Sequence, residues 1–174
     1  MENLIDKTYF VDENKLTGLN QTDADDEQSL NRFIAKYQKD YLARMFGEKL
    51  SLELPHEITD LIVDIDTLTS PLAEYVYYKW QRSKASIQTN AGVKVLHTQN
   101  TTSVSPIFKM SDAWNRMVLF NQKLHTKLEA QETIEYKKIV NNVETTETLK
   151  YSEDIKPYVD FSDEIFYMTN QYGI

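Results

Sequence analysis

The sequence predicts a mainly α fold: a bundle of about four helices with a projecting β-hairpin and an extended C-terminal arm. Three observations carry that prediction. Apolar residues recur at helical spacing in four stretches, the period falls to two between Ser86 and Leu96, and aromatic and aliphatic residues crowd the chain from Tyr158 onward.

The first helix spans Thr22 to Gly47. Thr22 or Asp23 can cap its free amides, Asp25, Asp26 and Glu27 place the sign its dipole favours in the first turn, and Gly47 suits the C′ position. Leu30, Phe33, Ile34, Tyr37, Tyr41 and Met45 form its apolar stripe. Arg44 falls in the same arc, so the edge of the stripe meets something polar or the side chain snorkels. Residues 57–68 repeat the pattern with Ile58, Leu61, Ile62, Ile65 and Leu68, which predicts a second helix packed on the first. Ser70-Pro71 reads as an N-cap followed by the first-turn proline of a third helix running to about Ser83. Leu72, Ala73, Tyr75, Val76, Tyr77, Tyr78 and Trp80 leave it almost no polar side, so it is either central or covered by a neighbouring subunit.

In residues 86–96, Ile87 and Thr89 alternate on one arm and Val93 and Val95 on the other, with Asn90-Ala91-Gly92 between them. That predicts a hairpin with Gly92 at positive φ. Thr98 to Ser105 has turn composition and reads as a loop. A fourth helix starts near Pro106 or Ser111 and runs to about Ala130, with Met110, Trp114, Met117, Val118, Leu124 and Leu128 on its stripe. Glu132 to Tyr151 alternates irregularly around Asn141-Asn142, compatible with a second hairpin or with an interrupted helical extension. The organisation expected is a helical domain over 1–130 followed by an arm over 131–174.

Composition excludes several classes of function. The chain of 174 residues carries 19 Lys+Arg against 27 Asp+Glu, a formal charge of −8, which argues against a generic nucleic-acid binder. No apolar run approaches the roughly 18 residues of a membrane span, and Met1 to Tyr9 has acids and no apolar core, so a soluble chain without a secretory signal is expected. The absence of cysteine removes disulfides, thiolate catalysis and Cys-ligated metals. The four glycines, Gly18, Gly47, Gly92 and Gly173, cannot spell a phosphate-cradling loop.

Candidate chemistry is sparse. Asp60 and Asp64 stand one helical turn apart and can share a proton or a metal, but like-charge pairs on a solvated face are common. The acidic run from Asp23 lacks the glycine and glutamate of a calcium loop, with Gln28 and Ile34 at those positions. His56, His97 and His125 have no helical partner at ligand spacing, and His125 shares the stripe of Trp114 and Val118, as a core or interface histidine would. No catalytic, metal or cofactor residues are therefore assigned, and the chain is expected not to be an enzyme. Tyrosine, with eleven copies, is the residue type that points elsewhere, because it is enriched at protein interfaces.

The stretch Leu16 to Leu50 with its ending F-G-E-K-L, the aromatic helix S-P-L-A-E-Y-V-Y-Y-K-W (Ser70 to Trp80) and S-I-Q-T-N-A-G-V-K-V (Ser86 to Val95) together resemble the head–tail connector proteins of tailed bacteriophages, of the crAss-like type. The resemblance covers about Leu16 to Ala130, and the segment from Gln131 departs from it. It implies a virion protein assembled in the host cytoplasm. Copies would form a ring in the phage neck, usually twelvefold, beneath the portal or an adjacent connector ring. The ring would extend the DNA channel and dock tail proteins, touching genomic DNA only in passage and no membrane. A tail-terminator or tail-completion ring is the alternative within the virion, and a small carboxylate-dependent hydrolase using Asp60 and Asp64 is the alternative outside it.

Ring closure needs a heterologous interface. Its candidates are Tyr77 and Tyr78 on the third helix and Ile87, Thr89, Asn90, Gly92 and Val93 of the hairpin. Phe161, Phe166, Tyr167, Tyr172 and Ile174 of the arm are placed as a clasp on an adjacent ring. Acidic residues such as Asp60, Asp64 and Asp66 are candidates to line the channel, where they would keep DNA from sticking.

Overall fold

The computed structural model describes residues 2–11, 14–16, 23–52, 54–63, 69–89, 92–95, 106–140 and 143–155. Among them are four helices and two antiparallel hairpins: α1 (Ala24–Leu52), α2 (His56–Ile62), α3 (Pro71–Ala85), β1 (Ser86–Thr89), β2 (Gly92–Val95), α4 (Pro106–Gln131), β3 (Thr133–Val140) and β4 (Val143–Lys150). The fold is mainly helical, as the spacing of apolar residues predicts.

Capping fixes the helix starts. The Asp25 N–H donates to Asp23 Oδ1 at 2.9 Å, which makes Asp23 the cap of α1. Ser70 Oγ accepts from the Leu72 N–H at 3.2 Å and the Ser70 carbonyl from Glu74, so Pro71 occupies the first turn of α3, where its missing N–H costs nothing. Gly47 takes a positive φ of 76°, but with ψ at 160°, and the chain re-enters helical geometry through Leu52. Gly47 thus ends a first helical segment at positive φ, as the sequence predicts, and a second short segment continues α1 beyond the kink. The second helix is shorter than expected. It stops at Ile62 because Val63 turns extended (φ −108°, ψ 103°), and residues 64–68 lie outside the description.

The core is aromatic. α3 sits between α1 and α4 and packs most extensively on α4, which explains a helix without a polar side: its neighbours are in its own chain. Tyr75 lies 5.7 Å from Tyr41 and 6.5 Å from Trp114, while Trp80 meets Phe33 edge-on at 5.1 Å. Each such pair contributes about 0.5–1.5 kcal/mol beyond area burial.

Two segments outside the predicted helices complete that core. Residues 2–11 and 14–16 form a strap in which Ile5, Tyr9, Phe10 and Leu16 are buried. Gln38, itself buried, holds the strap as a backbone would: its amide donates to the Glu2 carbonyl at 2.9 Å and its Oε1 accepts from the Leu4 N–H at 2.7 Å. At the other end, Ile134, Tyr151 and Ile155 enter the same core. Of the two readings open for 132–151, the hairpin is the one found, in register from Thr133↔Lys150 to Val140↔Val143. A π-helical turn, Tyr151–Ile155, follows it and packs on α1 and α4.

Candidate functional site

Polar groups between elements are the first place to look for chemistry, and three clusters of them, buried to different degrees, tie the helices together. In one, Arg116 of α4 grips Glu74 of α3 through Nε and Nη2, each at 3.0 Å; Nη1 donates to Asp112, and Nη2 donates also to Asn14 Oδ1 at 2.7 Å. The Asn14 amide donates to Glu74 Oε1 at 2.9 Å, so the carboxylate is fully engaged. Such a forked pair fixes the geometry of strap, α3 and α4.

In the second cluster, Asp40 of α1 accepts from the Tyr75 hydroxyl and from Arg44 Nε at 3.2 Å, with Lys79 Nζ at 3.8 Å. Arg44 thus meets the polar neighbour expected at the edge of the stripe. Burial acts most strongly on Asp40 and would raise its pKa, but Tyr75, Arg44 and Lys79 together hold it below the usual carboxylate value. Burial and the Asp40 carboxylate push the Tyr75 hydroxyl far up, so it stays a donor. Lys79 also lies over the Tyr75 ring at 4.8 Å. An ion held in this way is a crosslink, not a proton relay.

The third cluster joins α4 to α1 and to the π-helical turn. The Tyr41 hydroxyl donates to Asn121 Oδ1 at 2.5 Å, and one helical turn on, His125 Nδ1 pairs with the Tyr151 hydroxyl at 3.3 Å. Burial lowers the His125 pKa against an opposing pull from Glu129. This is the core histidine that the apolar stripe predicts.

A cleft of about 500 Å³ opens between the α1 bend and the second hairpin, lined by Phe46, Leu50, Tyr136, Lys138, Glu147 and Asp154 among others. Its acids are already engaged, since Glu147 accepts from the Tyr136 hydroxyl at 2.6 Å and Asp154 from the Lys150 N–H at 2.8 Å. Among the described residues no group of three His, Asp or Glu could hold a metal ion, and no helix is long and apolar enough to cross a membrane.

The candidate interface residues fall in three places. Tyr77 is 1% exposed, so its ring belongs to the interior of this chain and not to its surface. Its hydroxyl pKa is raised by burial, offset by Gln81. Tyr78 is half-buried, packed edge-on against Trp114 at 4.9 Å. Ile87 and Thr89 lie on β1, and Gly92 and Val93 on β2, for which the description is of backbone alone. Their register pairs Ile87 with Lys94, Gln88 with Val93 and Thr89 with Gly92, the hairpin that the alternation predicts. Asn90, Phe161, Phe166, Tyr167, Tyr172 and Ile174 lie outside the described residues, as do His97, Asp64, Asp66 and the expected loop. Asp60 is exposed on α2.

The surface supplies features that sequence reasoning did not single out. Phe108 and Leu119 are large, exposed and three turns apart on one face of α4. On the β3–β4 ribbon Glu135, Lys137 and residues 144–148 also face water. No family model, curated protein or solved structure matches the chain.

Proposed function

We propose that the chain is a structural protein of a tailed-phage virion, forming a ring in the neck between portal and tail. Copies of the chain, the portal or an adjacent connector ring, and tail proteins are its partners, and genomic DNA passes through the ring without specific recognition. The acidic balance of the sequence, a formal −8 per copy, suits a wall that phosphate should not adhere to.

The observation that carries this reading is the β1–β2 hairpin. Strand β1 begins at Ser86, directly after the last residue of α3, so a ribbon issues from the most buried helix of the bundle. A two-stranded ribbon of four-residue strands is marginal alone in water, and among the described residues neither of its outer edges is paired. Contact with a neighbouring subunit would complete it, and a contact between two different patches is what closes a ring.

Cryo-EM of tailed virions that carry this chain, with its copy number measured by quantitative mass spectrometry, tests the reading. A closed ring below the portal is expected. A chain absent from the particle, or present as a lone copy around a bound small molecule, would overturn it.

A further inference from the structure

The β3–β4 ribbon is a second, longer hairpin with its own interface chemistry. We propose that β3 and β4 are the two halves of a head-to-tail contact between copies, the outer edge of β3 in one copy pairing antiparallel with the outer edge of β4 in the next. This deepens the ring reading and rests on the self-association it proposes.

Backbone geometry comes first. The Tyr151 N–H donates to the Glu132 carbonyl, and counting by two from that pair along the register places the internal hydrogen bonds of the ribbon at 134, 136 and 138. The intervening residues, Glu135 and Lys137 on β3 and Glu144 and Thr146 on β4, therefore turn their N–H and C=O groups outward. The ribbon forms a sheet of two strands only, so among the described residues these edges have no strand beside them. Its base is fixed in the core through Ile134, Tyr151 and Ile155, so the edges project from a rigid mount.

Charge then selects the partner. Lys137 and Lys138 give β3 a basic centre, and Glu144 and Glu147 give β4 an acidic one. The two signs already recognise each other inside the ribbon, where Lys137 Nζ lies 3.1 Å from Glu144 Oε1. A β3 edge carries Lys137 and Lys138 against one acid, Glu135, and a β4 edge Glu144 and Glu147 against one base, Lys150, so two like edges meet with the same net sign. Of the three pairings, β3 against β4 brings together edges of opposite net charge. Charged edges normally repel foreign strands, and here the same charges admit one strand, supplied by another copy.

Symmetry agrees with charge. Pairing β3 with β3 is two-fold and stops at a dimer, whereas β3 on β4 leaves a free β3 and a free β4 at the ends and continues until it closes. In the register of the ribbon itself, Lys137 of one copy stands opposite Thr146 of the next.

The natural absence of cysteine makes the test clean. Two full-length proteins, one carrying Lys137→Cys and the other Thr146→Cys, are mixed and oxidised. Both positions are exposed, so neither change disturbs the core. Facing residues of a ladder are within disulfide reach. Because each protein holds one thiol, every bridge is between copies. The expected result is a heterotypic product in roughly tenfold excess over either homotypic one. Homotypic products in equal or greater yield overturn the proposal. Light scattering on the same mixtures separates the failures: multimers without the heterotypic product sink the edge assignment alone, while no multimer in solution or in the virion sinks the ring reading with it.

Discussion

Replacing Gly47 by alanine tests the bend in α1 most directly. At φ 76° and ψ 160° the residue occupies the mirror image of the extended region, where a Cβ collides with the adjacent backbone. Holding an L-residue there costs about 1–3 kcal/mol, while the stiffer unfolded chain returns about 0.4–1 kcal/mol. The net loss is about 1–2 kcal/mol, or a fall in Tm of about 2–8 °C for a domain of this size. Straightening α1 offers no escape, since it would pull half-buried Leu50 and buried Ser51 from their contacts. Urea titration and thermal melts followed by circular dichroism measure the loss, with an unchanged m-value expected. Gly47→Asn sharpens the test. Asparagine is tolerated in the left-handed helical region, near ψ 47°, but not at ψ 160°, so it should be no better than alanine. A loss below about 0.5 kcal/mol for alanine, or an asparagine variant that recovers most of the stability, would refute this backbone assignment.

Two further variants probe the polar crosslinks. Glu74→Gln leaves the Arg116 guanidinium facing a neutral amide in a largely buried site, and should cost about 2–4 kcal/mol by urea midpoint. Replacing both partners by apolar residues should recover part of it, and a double variant as unstable as the sum of the singles would argue against a coupled pair. His125→Gln addresses pH. Burial holds the folded imidazole below its ordinary 6.5, so the unfolded chain takes up the proton first. The His125 contribution is therefore fully present above 6.5 and is lost as pH falls from there through the folded value. The glutamine variant should flatten Tm against pH in that window, and identical profiles for the two proteins would refute the assignment.

The helices were readable because each carries its own punctuation. Asp23 and Ser70 cap where their sequence context predicts, and the stripe from Leu30 to Met45 faces inward as its spacing requires. What escaped was structure fixed by distant partners. Ile5, Tyr9, Phe10 and Leu16 follow neither a helical nor a strand period, because the strap has only a single 3-10 turn of its own and is held to α1 through Gln38, Glu27 and Asn31. Burial of Gln38 is likewise invisible until Glu2 and Leu4 are beside it. The β1–β2 hairpin could be read from strict alternation, whereas Lys137-Lys138 interrupts the alternation of β3, and only the register reveals that its basic centre faces an acidic strand. Tyr77 was misplaced on a surface because a helix apolar all round leaves open whether its cover comes from within or from a neighbour.

The strap has a consequence for how the molecule is made. Asn14 and Arg116, which bond at 2.7 Å, are 102 positions apart. At a synthesis rate of about 5–20 residues per second, the ribosome releases Asn14 about 5–20 s before its partner on α4. During translation α1 emerges soon enough to hold the strap through Asn31 and Gln38, but the link of Asn14 to α4 must wait for a later third of the chain.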